Sequence, residues 1–290
     1  MTDRRSTLFR TICATLALAG CASYAPSAPG LPERRIAEIV ASPDRSAADR
    51  TNDLRRKPVP MYTFIGIRPG MVALDVSAGG GYTTELLART IGPTGRVYGQ
   101  SLPRDPARAP VAPAAPEGNS APNLAPPAAA PPPAGPPRTS AIALAEREAR
   151  LRASNVATAP IVAVAQKFES PVPAELATQG LDLVTLMFNY HDLGFMGVDR
   201  SQMNRALFQA LKPGGLYVIA DHAGRPGTGI SESGTLHRIE EAFLRREVEA
   251  AGFKLVAEGM FLRNPHDPRD KNTPDPAQPK DEFVLKFVKP

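Results

Sequence analysis

The sequence predicts an α/β fold built on a doubly wound, mostly parallel sheet. Short apolar runs of strand length alternate with helical segments or turns, which is the order expected of such a sheet. The runs lie at 71–76, 95–99, 161–165, 181–187, 216–220, 253–258 and 282–288. A glycine-rich turn follows the first run, and later runs end in polar residues. Because the carboxyl ends of parallel strands meet at one edge of the sheet, we expect a ligand crevice there.

Helical patterns separate these strands. The first four predicted helices lie at 34–40, 46–57, 83–91 and 139–153. A later amphipathic helix is predicted to contain Leu236, Ile239, Phe243 and Val248 and to end at Gly252. Ser46 is a candidate N-cap for the second helix, which is expected to stop before Pro58. The last strand, 282–288, is expected to be an antiparallel edge strand.

The composition allows one substantial core but leaves part of the chain outside it. The chain has 290 residues, 42% of them apolar, and 32 prolines. Thirteen of these prolines lie between 103 and 137, where their density excludes the interior of a helix or a sheet. We therefore predict a disordered or polyproline insertion at about 103–137, inside a single domain that spans 34–290.

Charge and cysteine content exclude several classes of function. The net charge is only +5, and no dense basic run is interleaved with aromatic residues, so no nucleic-acid partner is expected. The two cysteines, Cys13 and Cys21, both lie near the N-terminus. They cannot form a disulfide framework or a cysteine-based zinc site in the body of the protein.

The N-terminus has the pattern of a lipoprotein signal peptide. Three arginines flank a short apolar run, and Leu18-Ala19-Gly20-Cys21 follows it. This tetrapeptide resembles the lipobox of bacterial lipoproteins, which implies removal of 1–20, lipidation of Cys21 and a tether at 21–33. The protein is then expected on the periplasmic side of a membrane, the outer rather than the inner one because Ala22 is not acidic. A buried N-terminal helix is the alternative.

The glycine turn carries the most informative resemblance. Residues 74–84 read Leu-Asp-Val-Ser-Ala-Gly-Gly-Gly-Tyr-Thr-Thr, a strand end, a turn and a helix start. This resembles the first motif of class I S-adenosylmethionine-dependent methyltransferases, and the similarity covers most of 34–290 apart from the insertion. The resemblance implies S-adenosylmethionine as the cofactor. It also implies a cofactor site that comprises Asp75, Ser77, Gly79, Gly81, Tyr82, Gln100 and Asn189.

Individual positions of that site agree with the family to different degrees. Asp75 resembles the acid near the methionine amino group of the cofactor, and Gly79 and Gly81 match family glycines. Ser77 stands where a glycine is common, and Gln100 stands where an acid commonly holds the ribose hydroxyls. A neutral amide can still hydrogen-bond a hydroxyl, but this bond is weaker than one to a charged carboxylate. We therefore expect weaker cofactor affinity.

Later strand ends supply candidate catalytic residues. Residues 212–216, Lys-Pro-Gly-Gly-Leu, resemble the turn before the fifth strand of methyltransferases. His191 and His222 follow two of the strands and could act as general bases, since imidazole titrates near neutral pH. They could equally be hydrogen-bonded structural histidines. With Asp192 and Asp221 they could also offer a mixed metal-ligand set, but no spacing motif supports one and no metal is expected.

Three functions remain open from the sequence. The first is methyl transfer from S-adenosylmethionine to a small-molecule or envelope-associated acceptor, and the features together resemble a group of predicted exported bacterial methyltransferases. The second is a non-catalytic binding protein of the cell envelope with the same fold, since a charged cofactor does not cross a bilayer unaided. A dinucleotide-dependent dehydrogenase fits less well, because Thr84 replaces the third glycine of that pattern.

Overall fold

The computed structural model describes residues 29–103, 139–178 and 180–290. The predicted lipidation site and nearly all of the predicted insertion lie outside the described residues. Within these ranges, no helix combines the length and the apolar character that crossing a bilayer requires. The helices are α1 (Glu33–Val40), α2 (Ala47–Arg56), α3 (Pro58–Ile65), α4 (Tyr82–Ile91), α5 (Ser140–Ala153), α6 (Asp192–Phe195), α7 (Arg200–Ala210), α8 (Ser233–Leu236) and α9 (Glu241–Ala250).

A seven-stranded sheet forms the centre of the molecule, with the order β3-β2-β1-β4-β5-β7-β6. The strands are β1 (Val72–Val76), β2 (Arg96–Ser101), β3 (Ile161–Ala165), β4 (Leu181–Met187), β5 (Leu211–His222), β6 (Lys254–Gly259) and β7 (Glu282–Val288). The first five strands pair in parallel, and β7 is antiparallel to both of its neighbours. The predicted doubly wound sheet with a C-terminal antiparallel strand is confirmed. β7 lies between β5 and β6, so β6 occupies the edge predicted for the last strand.

Side chains alternate between two hydrophobic clusters on the two faces of the sheet. In β1, Leu74 and Val76 belong to the cluster that packs against α7 and α9. Ala73 belongs to the cluster that packs against α1, α3 and α4. Since successive strand residues point to opposite faces, a buried parallel strand must be apolar on both sides. This explains why the strands read as continuous apolar runs.

The helices near the site differ from the sequence prediction in two places. Pro58 ends α2 as expected, but it also begins α3, because Lys57 adopts a left-handed conformation (φ 43°) and proline fits the first turn of a helix. The single amphipathic helix predicted around Leu236 and Ile239 is wrong. α8 ends at Leu236, His237 is left-handed (φ 51°), and Ile239 pairs with Ala223 in an isolated bridge.

Candidate cofactor cavity and histidine cluster

The turn after β1 is shaped by three residues with positive φ. Ser77, Gly79 and Gly81 have φ values of 59°, 52° and 78°. Residues other than glycine rarely adopt this conformation, which explains why a glycine is common where Ser77 stands. A Cβ on Gly81 would lie 2.6 Å from the end of the Leu144 side chain of α5, which would then have to shift. A Cβ on Gly80 would meet nothing within 4 Å, so the turn is open on the side away from the sheet.

A cavity of about 380 Å³ lies beside this turn, at the carboxyl ends of β1 and β4. Its volume is in the range of small-molecule sites. The chain reverses its direction of strand addition between β1 and β4, and such a switch point is where ligands bind in open α/β sheets. The lining residues are Asn52, Arg55, Arg56, Asp75, Ser77, Ala78, Gly79, Gly80, Tyr82, Thr83, Arg147, Met187, Phe188 and Asn189.

Asp75 is the only carboxylate among these lining residues, and it is 2% exposed. Its carboxylate accepts hydrogen bonds from the hydroxyls of Thr84, at 2.6 Å, and Thr185, at 2.8 Å. Burial raises the pKa of Asp75 to about 6, although both hydrogen bonds favour the ionised form. A carboxylate has about four acceptor positions, so two hydroxyls leave capacity for a cationic ligand group.

Gln100 does not line the cavity. Its side chain is fully buried, its Oε1 accepts from the Ser77 amide at 3.0 Å, and its Nε2 donates to the Gln166 carbonyl at 2.7 Å. The amide therefore joins the glycine turn to the segment after β3. Both ends of the side chain bind protein partners and the side chain lies outside the cavity lining, so the ribose contact of Gln100 stays a prediction.

The opposite wall of the cavity comes from the N-terminal helices, which the sequence did not connect to the site. α2 contributes Arg55 and Arg56, whose guanidinium carbons lie 4.7 and 4.5 Å from the ring centre of Phe188. Phe188 is buried and has a φ of 61°, a strained backbone state for an aromatic residue. Tyr82 extends this wall by donating to Asp53 at 2.7 Å, and its pKa is raised by burial and by that carboxylate.

Arg147 of α5 connects the glycine turn to α2, a role that no sequence pattern indicated. Its Nε donates to the Gly80 carbonyl at 2.5 Å. Its terminal nitrogens bind Asp49 at 2.7 and 2.9 Å and Glu85 at 2.6 Å. Arg147 thus joins three segments that are distant in sequence. The sequence of one helix does not distinguish an arginine exposed to solvent from one that connects other segments.

A second polar cluster lies at the ends of β4 and β5. His191 is fully buried, its Nδ1 lies 2.6 Å from Asp221 Oδ1, and its amide donates to Asp221 Oδ2 at 2.8 Å. His222 Nδ1 lies 3.0 Å from Glu282, which also binds Arg55 at 2.8 Å. The two imidazole rings are 5.3 Å apart. The predicted strand-end convergence of His191 and His222 is therefore present, but neither is among the cavity-lining residues.

Asn189 connects the cavity with Asp192, the residue next to His191. Asn189 lines the cavity and accepts a hydrogen bond from the Ser77 hydroxyl at 2.6 Å. Its Nδ2 donates to Asp192 Oδ2 at 2.8 Å. Of the predicted cofactor-site residues, the structure brings Asp75, Ser77, Gly79, Tyr82 and Asn189 to the cavity. It places Gly81 against α5 and Gln100 within the sheet, near the carboxyl end of β2.

Comparison with solved structures shows the fold. The [4+2]-cyclase SpnF is 16% identical, with 86% of each chain covered and a TM-score of 0.50. A SAM-dependent methyltransferase from Aquifex aeolicus is 14% identical, with 90% of this chain and 100% of the other covered and a TM-score of 0.47. Aeropyrum pernix fibrillarin, with natively bound S-adenosyl-L-methionine, is 15% identical, with 76% and 67% covered and a TM-score of 0.40.

No protein-family model and no curated protein matches the sequence. The chain has a class I methyltransferase-like Rossmann fold, as its sequence predicted. At such low identity the likeness is one of architecture, and function has to be argued from the site itself.

Proposed function

We propose that the protein is an S-adenosylmethionine-dependent methyltransferase. The observation that carries the proposal is the cavity at the switch point of the sheet, where Asp75, an open glycine turn and Asn189 converge. Turn amides and a helix start suit the carboxylate of an amino acid, and a buried carboxylate suits its ammonium group. The methyl acceptor is proposed to be a small molecule or an envelope-associated group.

The residues present fit the proposed cofactor. The cavity volume of about 380 Å³ is within the range for small ligands, and Gly80 has free space where a side chain would stand. Arg55 and Arg56 line the wall opposite the turn, and the Arg55 guanidinium binds Glu282 at 2.8 Å. When bound, the cofactor would supply an electrophilic methyl group. The protein would then act mainly by holding the acceptor in line with it.

The structure gives no direct support to His191 or His222 as the general base. Both are buried beside carboxylates and neither lines the cavity. Their hydrogen-bonding partners favour a role in shaping the edge of the sheet. We propose that methyl transfer in this protein depends on proximity, with no proton acceptor drawn from these two residues.

A non-catalytic or differently catalytic use of the fold is the second candidate. The observation that favours it is Gln100, whose side chain is fully buried and whose two polar atoms already bind Ser77 and Gln166. SpnF, which shares the fold, is described as a [4+2]-cyclase rather than a methyltransferase. The cavity could hold an adenosyl or other ligand in either case.

Calorimetric titration of the protein with S-adenosylmethionine and S-adenosylhomocysteine tests the proposal. We expect saturable binding of both, and Asp75→Ala should weaken it by about 1.5–3 kcal/mol because a charged partner is lost. Asp182→Ala is the matched control, since Asp182 lies at the amino end of β4 and binds Lys212 at 2.7 Å. Absence of binding by the wild type, or equal loss in both variants, would overturn the cofactor assignment.

We further propose that the protein is anchored outside the cytoplasm through lipid on Cys21. The support is the Leu18-Ala19-Gly20-Cys21 sequence after an arginine-flanked apolar run. Cys21→Ser should abolish the lipid-dependent mass increase and release the protein from the membrane fraction. A Cys21→Ser protein with unchanged mass and complete membrane association would contradict the proposal.

A further inference from the structure

Three potential metal ligands converge beside the cofactor cavity. His191 Nε2 lies 3.1 Å from Asp192 Oδ1, and His237 Nδ1 lies 3.0 Å from the same oxygen. All three donor atoms lie within 4.8 Å of one another. The ligand set considered from the sequence was His191, Asp192, Asp221 and His222, and it did not include His237.

The separations suit donors that share one cation. Two donors about 2.1 Å from a common ion, at about 95° to each other, are about 3.1 Å apart. The conformation of His237 is what makes the arrangement possible. Its left-handed backbone directly after α8 ends the helix and directs the ring toward α6, where Asp192 lies.

The hydrogen-bonding partners of His191 and Asp192 resemble those found around the ligands of a metal centre. His191 Nδ1 lies 2.6 Å from Asp221, a contact that sets the tautomer in which Nε2 presents its lone pair toward Asp192. Asp192 Oδ2 accepts from Asn189 at 2.8 Å, which orients Oδ1 toward the two imidazoles. Metal-binding histidines and carboxylates commonly have such partners, which fix the orientation of the ligand atoms.

We propose that His191 Nε2, Asp192 Oδ1 and His237 Nδ1 bind a divalent first-row transition cation. Two imidazoles and one carboxylate suit zinc, iron or nickel, and the described residues contain no thiolate that would select a softer ion. The side chains of His191, Asp192 and His237 are 0%, 14% and 29% exposed. The site is therefore closed toward the sheet and open toward solvent, so further coordination positions stay available.

The position of the metal site beside the cofactor cavity indicates that the cation binds the substrate. This substrate-binding role rests on the proposed function. Asn189 contacts both the cavity turn, through Ser77, and Asp192. A cation with open positions would hold a hydroxyl or carboxylate oxygen of the methyl acceptor next to the cofactor cavity. The acceptor class is therefore an oxygen-bearing compound able to coordinate a metal ion.

Titration of the metal-stripped, full-length chain with Co²⁺ tests the binding site without any cofactor. We expect visible absorption that saturates at one ion per chain and is reversed by Zn²⁺. His237→Asn should weaken Co²⁺ binding more than about 10-fold, because asparagine tolerates the left-handed backbone and keeps a donor for Asp192 but lacks the imidazole lone pair. His266→Asn is the matched control at an exposed histidine and should bind as the wild type does.

The alternative is that Asp192 only accepts hydrogen bonds from the two imidazoles. His237→Asn would then melt as the wild type does with or without Co²⁺, and its Co²⁺ affinity would be unchanged. That result, or wild-type protein without saturable absorption, overturns the proposal. X-ray absorption of the zinc-loaded wild type gives a second measurement that needs no variant. We expect two imidazole nitrogens at about 2.0–2.1 Å from the zinc ion. A coordination shell without imidazole would contradict the proposed site.

The two proposals fail separately. If Co²⁺ binds but S-adenosylmethionine does not, the metal site stands and the cofactor assignment falls. If S-adenosylmethionine binds but Co²⁺ does not, the metal site is absent and the cofactor cavity stands. If both bind, weaker binding of an oxygen-bearing acceptor by His237→Asn, with unchanged cofactor affinity, would support the acceptor role. Unchanged acceptor binding would refute it.

Discussion

Asp75 and Asp221 are both buried carboxylates at the carboxyl ends of parallel strands, yet their surroundings differ. Asp75 ends β1 beside the cavity and accepts hydrogen bonds from two threonine hydroxyls. Asp221 lies near the end of β5 and accepts from the amides of His191 and His222 and contacts the His191 ring. Asp75 borders open space, whereas Asp221 is enclosed by N–H groups.

The difference separates a binding carboxylate from a structural one. Burial raises the pKa of Asp75 to about 6, so its charge is poorly compensated by the protein alone. A cationic ligand in the cavity would supply the missing compensation. Asp221 has its partners within the fold, and its removal would leave buried donors unsatisfied. Perturbed carboxylates beside a cavity are characteristic of functional sites.

Asp221→Ala should have the largest effect on stability. The substitution removes the acceptor for two amides and the partner of the buried His191 ring. We expect a loss of about 3–5 kcal/mol in the free energy of unfolding, the scale for breaking a buried polar pair. Guanidinium unfolding at pH 7.5 measures it. A loss below about 1 kcal/mol would show that water replaces the carboxylate and that the cluster is more open than the structure shows.

Asp75→Asn should stabilise the folded protein at high pH, whereas Asp221→Ala should destabilise it. The folded-state pKa is raised from 3.8 to about 6, so the stability that protonated Asp75 provides is complete below about pH 4 and is lost as pH rises through 6. Above pH 7 the variant should exceed the wild type by up to about 3 kcal/mol, and the difference should vanish near pH 4. Thermal melting at pH 4 and pH 8 measures this, and a pH-independent difference would contradict the assigned titration.

The same Asp75→Asn protein sharpens the comparison with binding. If Asp75 holds a cationic ligand group, the variant should gain stability at pH 8 and lose affinity for S-adenosylmethionine. A gain in stability with unchanged affinity would make Asp75 a purely structural carboxylate and bring it into the same category as Asp221. This pair of measurements therefore decides whether the contrast between the two residues is functional.

Gln100→Glu should have the smallest of the three effects. The carboxylate could still accept from the Ser77 amide, but its other oxygen would face the Gln166 carbonyl, where the amide of Gln100 now donates. We expect a loss of about 1–3 kcal/mol at pH 8 and a smaller one at low pH, where a protonated acid can donate. Gln202→Glu, at an exposed position of α7, is the matched control. Tighter cofactor binding without destabilisation would instead restore Gln100 to the ribose site.

The sequence by itself determined the fold class and the glycine turn. The order of apolar runs and helical patterns was sufficient for the doubly wound sheet, because buried parallel strands must be apolar on both faces. The positions of Asp75, Ser77, Gly79 and Asn189 at the cavity followed from strand ends meeting at one edge of the sheet. These inferences depend on local pattern and on general sheet geometry.

Only the tertiary structure decided which polar atoms remain available to a ligand. Gln100 is used by Ser77 and Gln166, and Arg147 connects the turn to α2 through contacts far apart in sequence. His237 joins Asp192 because a single left-handed residue interrupts a pattern that is helical by spacing. Hydrogen-bond partners and backbone reversals arise from packing between distant segments, and residue spacing along one chain contains no direct record of them.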